Sequence, residues 1–264
     1  MIRVMNLTKK YGDFTAVNDI SFEVAEGEIF AFLGPNGAGK TTTIKILTTL
    51  LKPTSGRVEL DGLNPAVQHN EARKRFGIVF QDPSLDDELT AYENMDFHGV
   101  LYKVPHKVRV ERIERLLKLF ELWDRRNDPV KQFSGGMKRR LEISRGLLHT
   151  PRIVFLDEPT LGLDPQTRNQ LWTHVQKLNR EENVTVFMTT HYMEEAERVA
   201  QRIAIIDHGK IVAQGTAEQL KAQTAASTLE QAFLALTGST IRQEEATSLD
   251  QMRAMARMFR GKRR

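Results

Sequence analysis

Hydrophobic and polar positions change their spacing several times along this chain, and each change predicts a different element. Residues 1–30 alternate apolar and polar, as in Ile20-Ser21-Phe22-Glu23-Val24, which predicts half-buried antiparallel strands. Glu28-Ile29-Phe30-Ala31-Phe32-Leu33 is a short apolar run ending in a glycine turn, the pattern of a buried strand. Residues 41–51 continue as a helix that stops before Pro53. Gly56-Arg57-Val58-Glu59-Leu60-Asp61-Gly62 reads as a short strand closed by a turn. Between 84 and 150 the strand-like runs vanish, and residues 108–120 are charged and apolar at helical spacing, so this part reads as a helical insertion. Strand patterns return at 153–156, 184–188 and 203–206, separated by helical patterns near 166–181 and 193–200. Strands alternating with helices predict an α/β fold with a mostly parallel core sheet, preceded here by antiparallel strands and interrupted by a helical subdomain. The pattern is weakest beyond Gly238.

Composition narrows this picture. A chain of 264 residues, 40% hydrophobic and 27% charged, suits one large domain or a domain with a subdomain. It has no cysteine, which excludes a disulfide framework and a thiolate metal site. No stretch approaches the roughly 20 apolar residues of a membrane-spanning helix. The first residues, Met1-Ile2-Arg3-Val4-Met5-Asn6, show no apolar signal core. The expected location is the cytosol, unless a partner holds the protein at a membrane. The net charge of +4 belongs to the tail: residues 241–264 hold seven Lys and Arg against three Asp and Glu, which leaves 31 of each sign in the first 240. A neutral body argues against nucleic acid as the partner.

Three segments carry chemistry. Gly34-Pro35-Asn36-Gly37-Ala38-Gly39-Lys40-Thr41 fits the phosphate-loop pattern G-x-x-x-x-G-K-[ST], with Thr42 next in the same turn. Its glycines allow backbone N–H groups to surround phosphates at a helix N-terminus. Lys40 is placed to reach the β- and γ-phosphates of ATP, and the Thr41 hydroxyl to ligate Mg²⁺. Asp157 ends the apolar run Ile153-Val154-Phe155-Leu156, so it belongs at the carboxyl end of a buried strand, where open α/β sheets bind ligands. Its expected role is to hold Mg²⁺ through water, while the adjacent Glu158 points to the attacking water as base or polariser. Taken alone, the same two residues also describe an acidic turn. The third segment, Phe133-Ser134-Gly135-Gly136-Met137, offers a hydroxyl and exposed glycine N–H groups before a helix, which makes an anion site. In isolation it reads equally as an N-capped helix.

Together these segments resemble the ATP-binding-cassette (ABC) ATPases over about residues 2–225. Ser134-Gly135-Gly136-Met137 is similar to that family's signature motif, with Met137 in place of the commoner glutamine. The resemblance implies that this motif caps the ATP held by a second copy, so that two protomers share each nucleotide. It also implies roles for four more residues. Tyr11 matches the aromatic that stacks on adenine, although a strand-end tyrosine is the plainer reading. Gln81, after Ile78-Val79-Phe80, matches a glutamine that senses Mg²⁺ and water. Asp164, in Leu161-Gly162-Leu163-Asp164, matches a loop that crosses between protomers. His191, after Val186-Phe187-Met188-Thr189-Thr190, matches a histidine that contacts the γ-phosphate. The remaining histidines show no paired ligand spacing, so no metal beyond Mg²⁺ is expected.

Finer resemblance points to transport. Lys9-Lys10-Tyr11-Gly12-Asp13-Phe14-Thr15-Ala16-Val17, Thr190-His191-Tyr192-Met193-Glu194-Glu195-Ala196-Glu197 and the stretch 229–238 look like prokaryotic exporter ATPases of the daunorubicin-resistance type, with the nodulation-factor exporters as close kin. This implies an ATP-hydrolysing homodimer under a separate transmembrane permease, on the cytoplasmic face of the cell membrane, with residues 82–102 facing the permease. A drug-like, lipid or polysaccharide-type cargo would be chosen by that permease. The competing class, a soluble ABC ATPase acting on nucleic acid or ribosomes, is disfavoured by the neutral body and the single cassette. The expected organisation is an ABC ATPase domain at 1–225, with its helical subdomain at about 84–150, and an extension at 226–264. In that extension Leu249, Met252, Met255, Ala256 and Phe259 recur at helical spacing beside Arg253, Arg257 and Arg260. This is either a basic amphipathic helix for anionic lipid or a partner, or a solvated tail.

Overall fold

The computed structural model describes residues 1–238, so the candidate tail helix at 249–260 lies outside the described residues. The chain opens with β1 (Ile2–Tyr11) and β2 (Phe14–Val24), which pair antiparallel, followed by β3 (Ile29–Leu33), α1 (Lys40–Leu47) and β4 (Ser55–Leu60). Next come α2 (His69–Arg73), β5 (Phe76–Val79) and three helices, α3 (Ala91–Leu101), α4 (His106–Leu119) and α5 (Gly135–Leu147). The last part holds β6 (Ile153–Asp157), α6 (Pro165–Glu182), β7 (Thr185–Thr190), α7 (Met193–Val199), β8 (Arg202–Asp207), β9 (Lys210–Gly215), α8 (Ala217–Gln223) and α9 (Leu229–Thr237).

These strands form two sheets. β2-β1-β4 is antiparallel; the alternation over 1–30 predicts the β1–β2 pair, and β4 adds to it from farther along the chain. The other has six strands in the order β5-β6-β7-β3-β8-β9, parallel throughout except for β9. The parallel strands are apolar on both faces because both are covered. Ile29, Ala31 and Leu33 of β3 join the core under the helices, while Phe30 and Phe32 join the core under the antiparallel sheet. β6 and β7 divide in the same way, with Val154, Leu156, Val186 and Met188 to one side and Phe155 and Phe187 to the other. The second core is aromatic at its centre, where the rings of Phe22, Phe30, Phe32 and Phe187 lie 5.5–5.9 Å apart.

The structure departs from the sequence pattern at the end of α1. α1 stops at Leu47, four residues before the expected Leu51. The Thr48 hydroxyl bonds back to the Ile44 carbonyl, Thr49 turns left-handed at φ 66°, and the Leu51 N–H reaches the Lys45 carbonyl. That closure satisfies the terminal carbonyls without another helical turn. α9 extends the first core, since Leu229 and Ala232 are fully buried with Leu220 and Ala217 of α8. No helix among the described residues is long and apolar enough to cross a membrane.

Candidate nucleotide-binding and hydrolysis site

Sheet order gathers the predicted chemistry at one edge. β5, β6, β7 and β3 are consecutive and parallel, so their carboxyl ends share one side of the sheet. Gly34 follows β3, Gln81 lies two residues after β5, Asp157 ends β6 with Glu158 next, and His191 follows β7. Open parallel sheets bind ligands at such an edge.

The glycine-rich loop is shaped by close backbone approach. A Cβ on Gly34 would lie 2.4 Å from the Ile206 carbonyl oxygen, and one on Gly39 would lie 2.6 Å from that of Ala16. Gly39 also sits at φ 112°, where a side chain is strained, and serves as the N-cap of α1. It offers no side-chain cap, so the first N–H groups of α1, those of Lys40, Thr41 and Thr42, have no partner within the helix. Pro35, Asn36, Gly37 and Ala38 form the loop itself, with the Ala38 N–H closing it onto the Pro35 carbonyl at 3.2 Å.

Lys40 folds back into this loop. It is only 6% exposed, and its Nζ donates to the carbonyls of Gly34 at 2.6 Å and Pro35 at 3.2 Å. The same Nζ lies 3.9 Å from Glu158 Oε1. The other Glu158 oxygen, Oε2, is 2.9 Å from His191 Nδ1. Asp157 is buried, and its Oδ1 accepts from the Thr189 hydroxyl at 2.6 Å. Lys40, Glu158 and His191 are thus drawn from three separate strand ends into one contact chain.

The two neighbouring carboxyls are driven apart. Burial raises Asp157 above its usual range, with the Thr189 hydrogen bond pulling the other way. Burial also acts to raise Glu158, but the His191 hydrogen bond and the Lys40 charge outweigh it, so this carboxyl sits below its ordinary value. Burial pushes the Lys40 ammonium down, against the attraction of Glu158 and Asp157. An ionised Glu158 can only accept, so His191 Nδ1 is assigned the proton in their contact. Glu158 itself is left-handed at φ 47°, a rare conformation for a residue with a side chain.

The remaining predicted residues stand apart from this cluster. Among the described residues, no hydrogen bond or ion pair joins Tyr11, Gln81, Ser134 or Asp164 to Lys40, Glu158 or His191. Tyr11 is 39% exposed at the end of β1, with Lys9 Nζ 5.1 Å from its ring centre. The Gln81 side chain is exposed. Ser134 caps α5 by accepting from the Met137 N–H at 3.3 Å, and Gly135 and Gly136 form the first turn behind it. Asp164 caps α6, accepting from the Thr167 N–H at 3.0 Å and the Thr167 hydroxyl at 2.6 Å. The structure also brings in residues that sequence reasoning missed. Thr189 holds both the Asp157 carboxylate and, at 3.0 Å, the Glu158 N–H. Buried Glu195 accepts from the Thr160 hydroxyl at 2.7 Å. Neither had a local signal, since both partners lie more than 30 positions away in the chain.

Comparison with known proteins agrees with this geometry. Residues 17–161 match the family model described as ABC transporter. The chain is 38% identical to the daunorubicin resistance ATP-binding protein DrrA3 of Streptomyces coeruleorubidus, over 98% of this chain and 87% of that protein. It is 39% identical to the Nod factor export ATP-binding protein I of Ralstonia nicotianae, over 83% of this chain and 68% of that protein. A solved structure titled as the dimeric post-hydrolysis state of the ATP-binding cassette MJ0796, bound to ADP and Pi, superposes with a TM-score of 0.73 at 31% identity, covering 82% of this chain and 98% of that one. A nucleotide-binding loop, a carboxylate pair and a histidine on one parallel-sheet edge, with these relatives, place the chain in the ABC transporter family as an ATP-binding, ATP-hydrolysing cassette.

Proposed function

We propose that this cassette binds Mg·ATP at the Lys40–Glu158–His191 edge, closes as a homodimer over two nucleotides, and drives a separate membrane permease that exports a drug-like, lipid or polysaccharide-type substrate. The observation that carries the hydrolytic part is the contact chain from Lys40 through Glu158 to His191, beside an uncapped helix N-terminus.

The site fits its ligands by the chemistry of its donors. The N–H groups of the loop and of Lys40, Thr41 and Thr42 suit phosphate oxygens. The Thr41 hydroxyl, the Asp157 carboxylate and the Gln81 amide are hard oxygen donors, the set that Mg²⁺ prefers. Mg²⁺ would supply charge neutralisation of the β- and γ-phosphates when bound. Lys40 exchanges its two carbonyl partners for phosphate oxygens. Glu158 accepts a hydrogen bond from the attacking water and raises its nucleophilicity. As the water oxygen bonds to the γ-phosphorus, the bond to the β–γ bridging oxygen breaks, giving ADP and inorganic phosphate. His191 orients Glu158 through its Nδ1 contact, and its ring is the group assigned to the γ-phosphate.

Ser134, Gly135 and Gly136 present a second anion-binding turn at the start of α5. In a two-copy arrangement it caps the nucleotide of the partner protomer, with Asp164 at the crossing between the two and Tyr11 against adenine. The dimeric relative with ADP and Pi supports this reading. The names of the daunorubicin-resistance and Nod-factor-export relatives support export as the use of the energy. The protein then works on the cytoplasmic face of the membrane, held there by its permease, with no nucleic acid in its cycle.

Glu158→Gln tests the mechanism. It keeps size and hydrogen bonding but removes the carboxylate, so hydrolysis is expected to fall by about a hundredfold or more. The closed dimer then accumulates. Size-exclusion chromatography with Mg·ATP should show a dimer for the variant and mainly monomer for the wild type, and ADP should not replace ATP. A variant that hydrolyses normally, or that stays monomeric at saturating Mg·ATP, overturns the reading.

A further inference from the structure

The loop after β5, which carries Gln81, and the turn after β6, which carries Glu158, are joined through one buried side chain on a third element. Arg139 lies on α5 and is only 7% exposed. Its Nε donates to the Pro159 carbonyl at 2.8 Å. Its Nη2 donates to the Glu158 carbonyl at 3.0 Å and lies 3.5 Å from the Gln81 carbonyl. Its Nη1 serves the Phe80 carbonyl and, at 3.0 Å, Glu142 Oε2. Glu142 is 2% exposed, and its second oxygen accepts from the N–H and hydroxyl of Ser84, at 2.7 and 3.3 Å. One guanidinium therefore spans two carbonyls from each loop, and its ion-pair partner anchors the same Gln81 segment one turn further on.

This arrangement bears on Glu158 in two ways. The left-handed backbone of Glu158 needs restraint on both sides. Its N–H is held by Thr189, and its carbonyl by Arg139 at 3.0 Å together with the Leu161 N–H at 3.2 Å. The β5–β6 pairing ends at Val79 and Leu156, so past that point the hydrogen bonds linking the two loops among the described residues are those of Arg139. A rigid planar fork suits this task, since its donors are fixed relative to one another. A lysine offers three donors on a flexible stem and cannot span the same four carbonyls.

We infer that Arg139 is a positioning residue for ATP hydrolysis: it fixes the backbone that aims the Glu158 carboxylate and makes that aim depend on where the Gln81 loop sits. The inference rests on the reading of Glu158 as the group that polarises water. A shift of the Gln81 loop pulls the Phe80 and Gln81 carbonyls off the fork and thereby loosens Glu158. Hydrolysis is thus gated by the loop through Arg139, without movement of any group that binds phosphate.

A mutant cycle on the full chain tests this. Arg139→Lys keeps the buried charge beside Glu142, so the fold is retained. It should lower kcat by about ten- to a hundredfold, the scale of a small misplacement, while KM for ATP stays within about threefold. In a Glu158→Gln background the same change should cost less than about twofold, because it acts through a carboxylate that is no longer there. A merely structural role would instead lower turnover by the same factor in both backgrounds. Arg139→Gln with Glu142→Gln repeats the cycle with no buried charge left unpaired. An unchanged kcat in either form, or equal losses with and without the Glu158 carboxylate, overturns the inference while leaving the Glu158 mechanism standing. Normal turnover by Glu158→Gln alone overturns both.

Discussion

Lys40 shows how single residues are poised in this site. A buried ammonium is costly unless its protons find acceptors. Here two carbonyls of its own loop accept at 2.6 and 3.2 Å, with Glu158 farther off at 3.9 Å. These are partners that a phosphate can displace. Lys40→Ala should therefore raise the Kd for Mg·ATP by about tenfold or more, the value of one charged hydrogen bond, and abolish turnover. Titration with a fluorescent ATP analogue measures the first effect and phosphate release the second; wild-type affinity would remove the phosphate-loop assignment. Residues of this kind are legible in sequence because the loop is local, with three glycines, a lysine and a threonine in eight positions. Arg139 is not legible. Its four carbonyl partners lie 19 and 20 positions away on one side and 58 and 59 on the other, and on the chain it is one charge among several on a helix. What a side chain does through long-range contacts leaves no mark on its neighbours in sequence.

Elements were legible where one face is buried and illegible where tertiary contacts set their ends. The strands β3, β6 and β7 stand out as apolar runs because both faces of the sheet are covered. The early stop of α1 is set by Thr48 and left-handed Thr49, which no hydrophobic pattern encodes. The join of α3, α5 and β5 makes a prediction at this scale. The rings of Tyr102 and His149 stack at 3.9 Å, with His98 4.7 Å from Tyr102. His149 Nε2 is 3.0 Å from the Phe76 carbonyl, which can only accept, so the proton sits on Nε2 and buried Nδ1 has no partner. Burial pushes His149 down to about 4 and His98 to about 3. In the unfolded chain both titrate near their ordinary value of about 6.5. Between that pH and about 4 the unfolded state binds more protons, so stability falls as the solution is acidified. The contribution is fully present above about pH 6.5 and is lost on the way down through the folded values. His149→Phe keeps the stack and removes one of the titrating groups. Its melting temperature should fall less steeply than the wild type's from pH 6.5 to 4, as read by calorimetry. Parallel curves would show that His149 does not contribute to acid destabilisation.

At the scale of the whole molecule, two cores on either face of one sheet hold the catalytic edge, and the chain continues past every proposed nucleotide contact to close the first of them. α9 puts Leu229 and Ala232 into the core that also contains Leu220, Ala217 and Val199. The family resemblance ends near 225, and the pattern of the next helix does not say whether the body needs it, because nine residues with an apolar stripe look alike whether they dock or not. Two truncations separate the alternatives. A chain ending at Gly238 removes the basic tail and keeps every described element. It should match the full chain in melting temperature and in Mg·ATP turnover, and lose only the attraction that the tail's net charge of +4 gives it for anionic vesicles at low salt. A chain ending at Ala226 also removes α9 and uncovers its partners on α8. Losing the burial of about one large apolar side chain and its neighbours costs about 3 kcal/mol, or roughly 6–12 °C in Tm for a domain of this size. Saturating Mg·ATP should recover part of that loss, since a ligand that binds only the folded form stabilises it by mass action. Equal melting temperatures for the two truncations would mean that α9 adds nothing to the core. A loss already present in the chain ending at Gly238 would assign a stabilising role to residues 239–264.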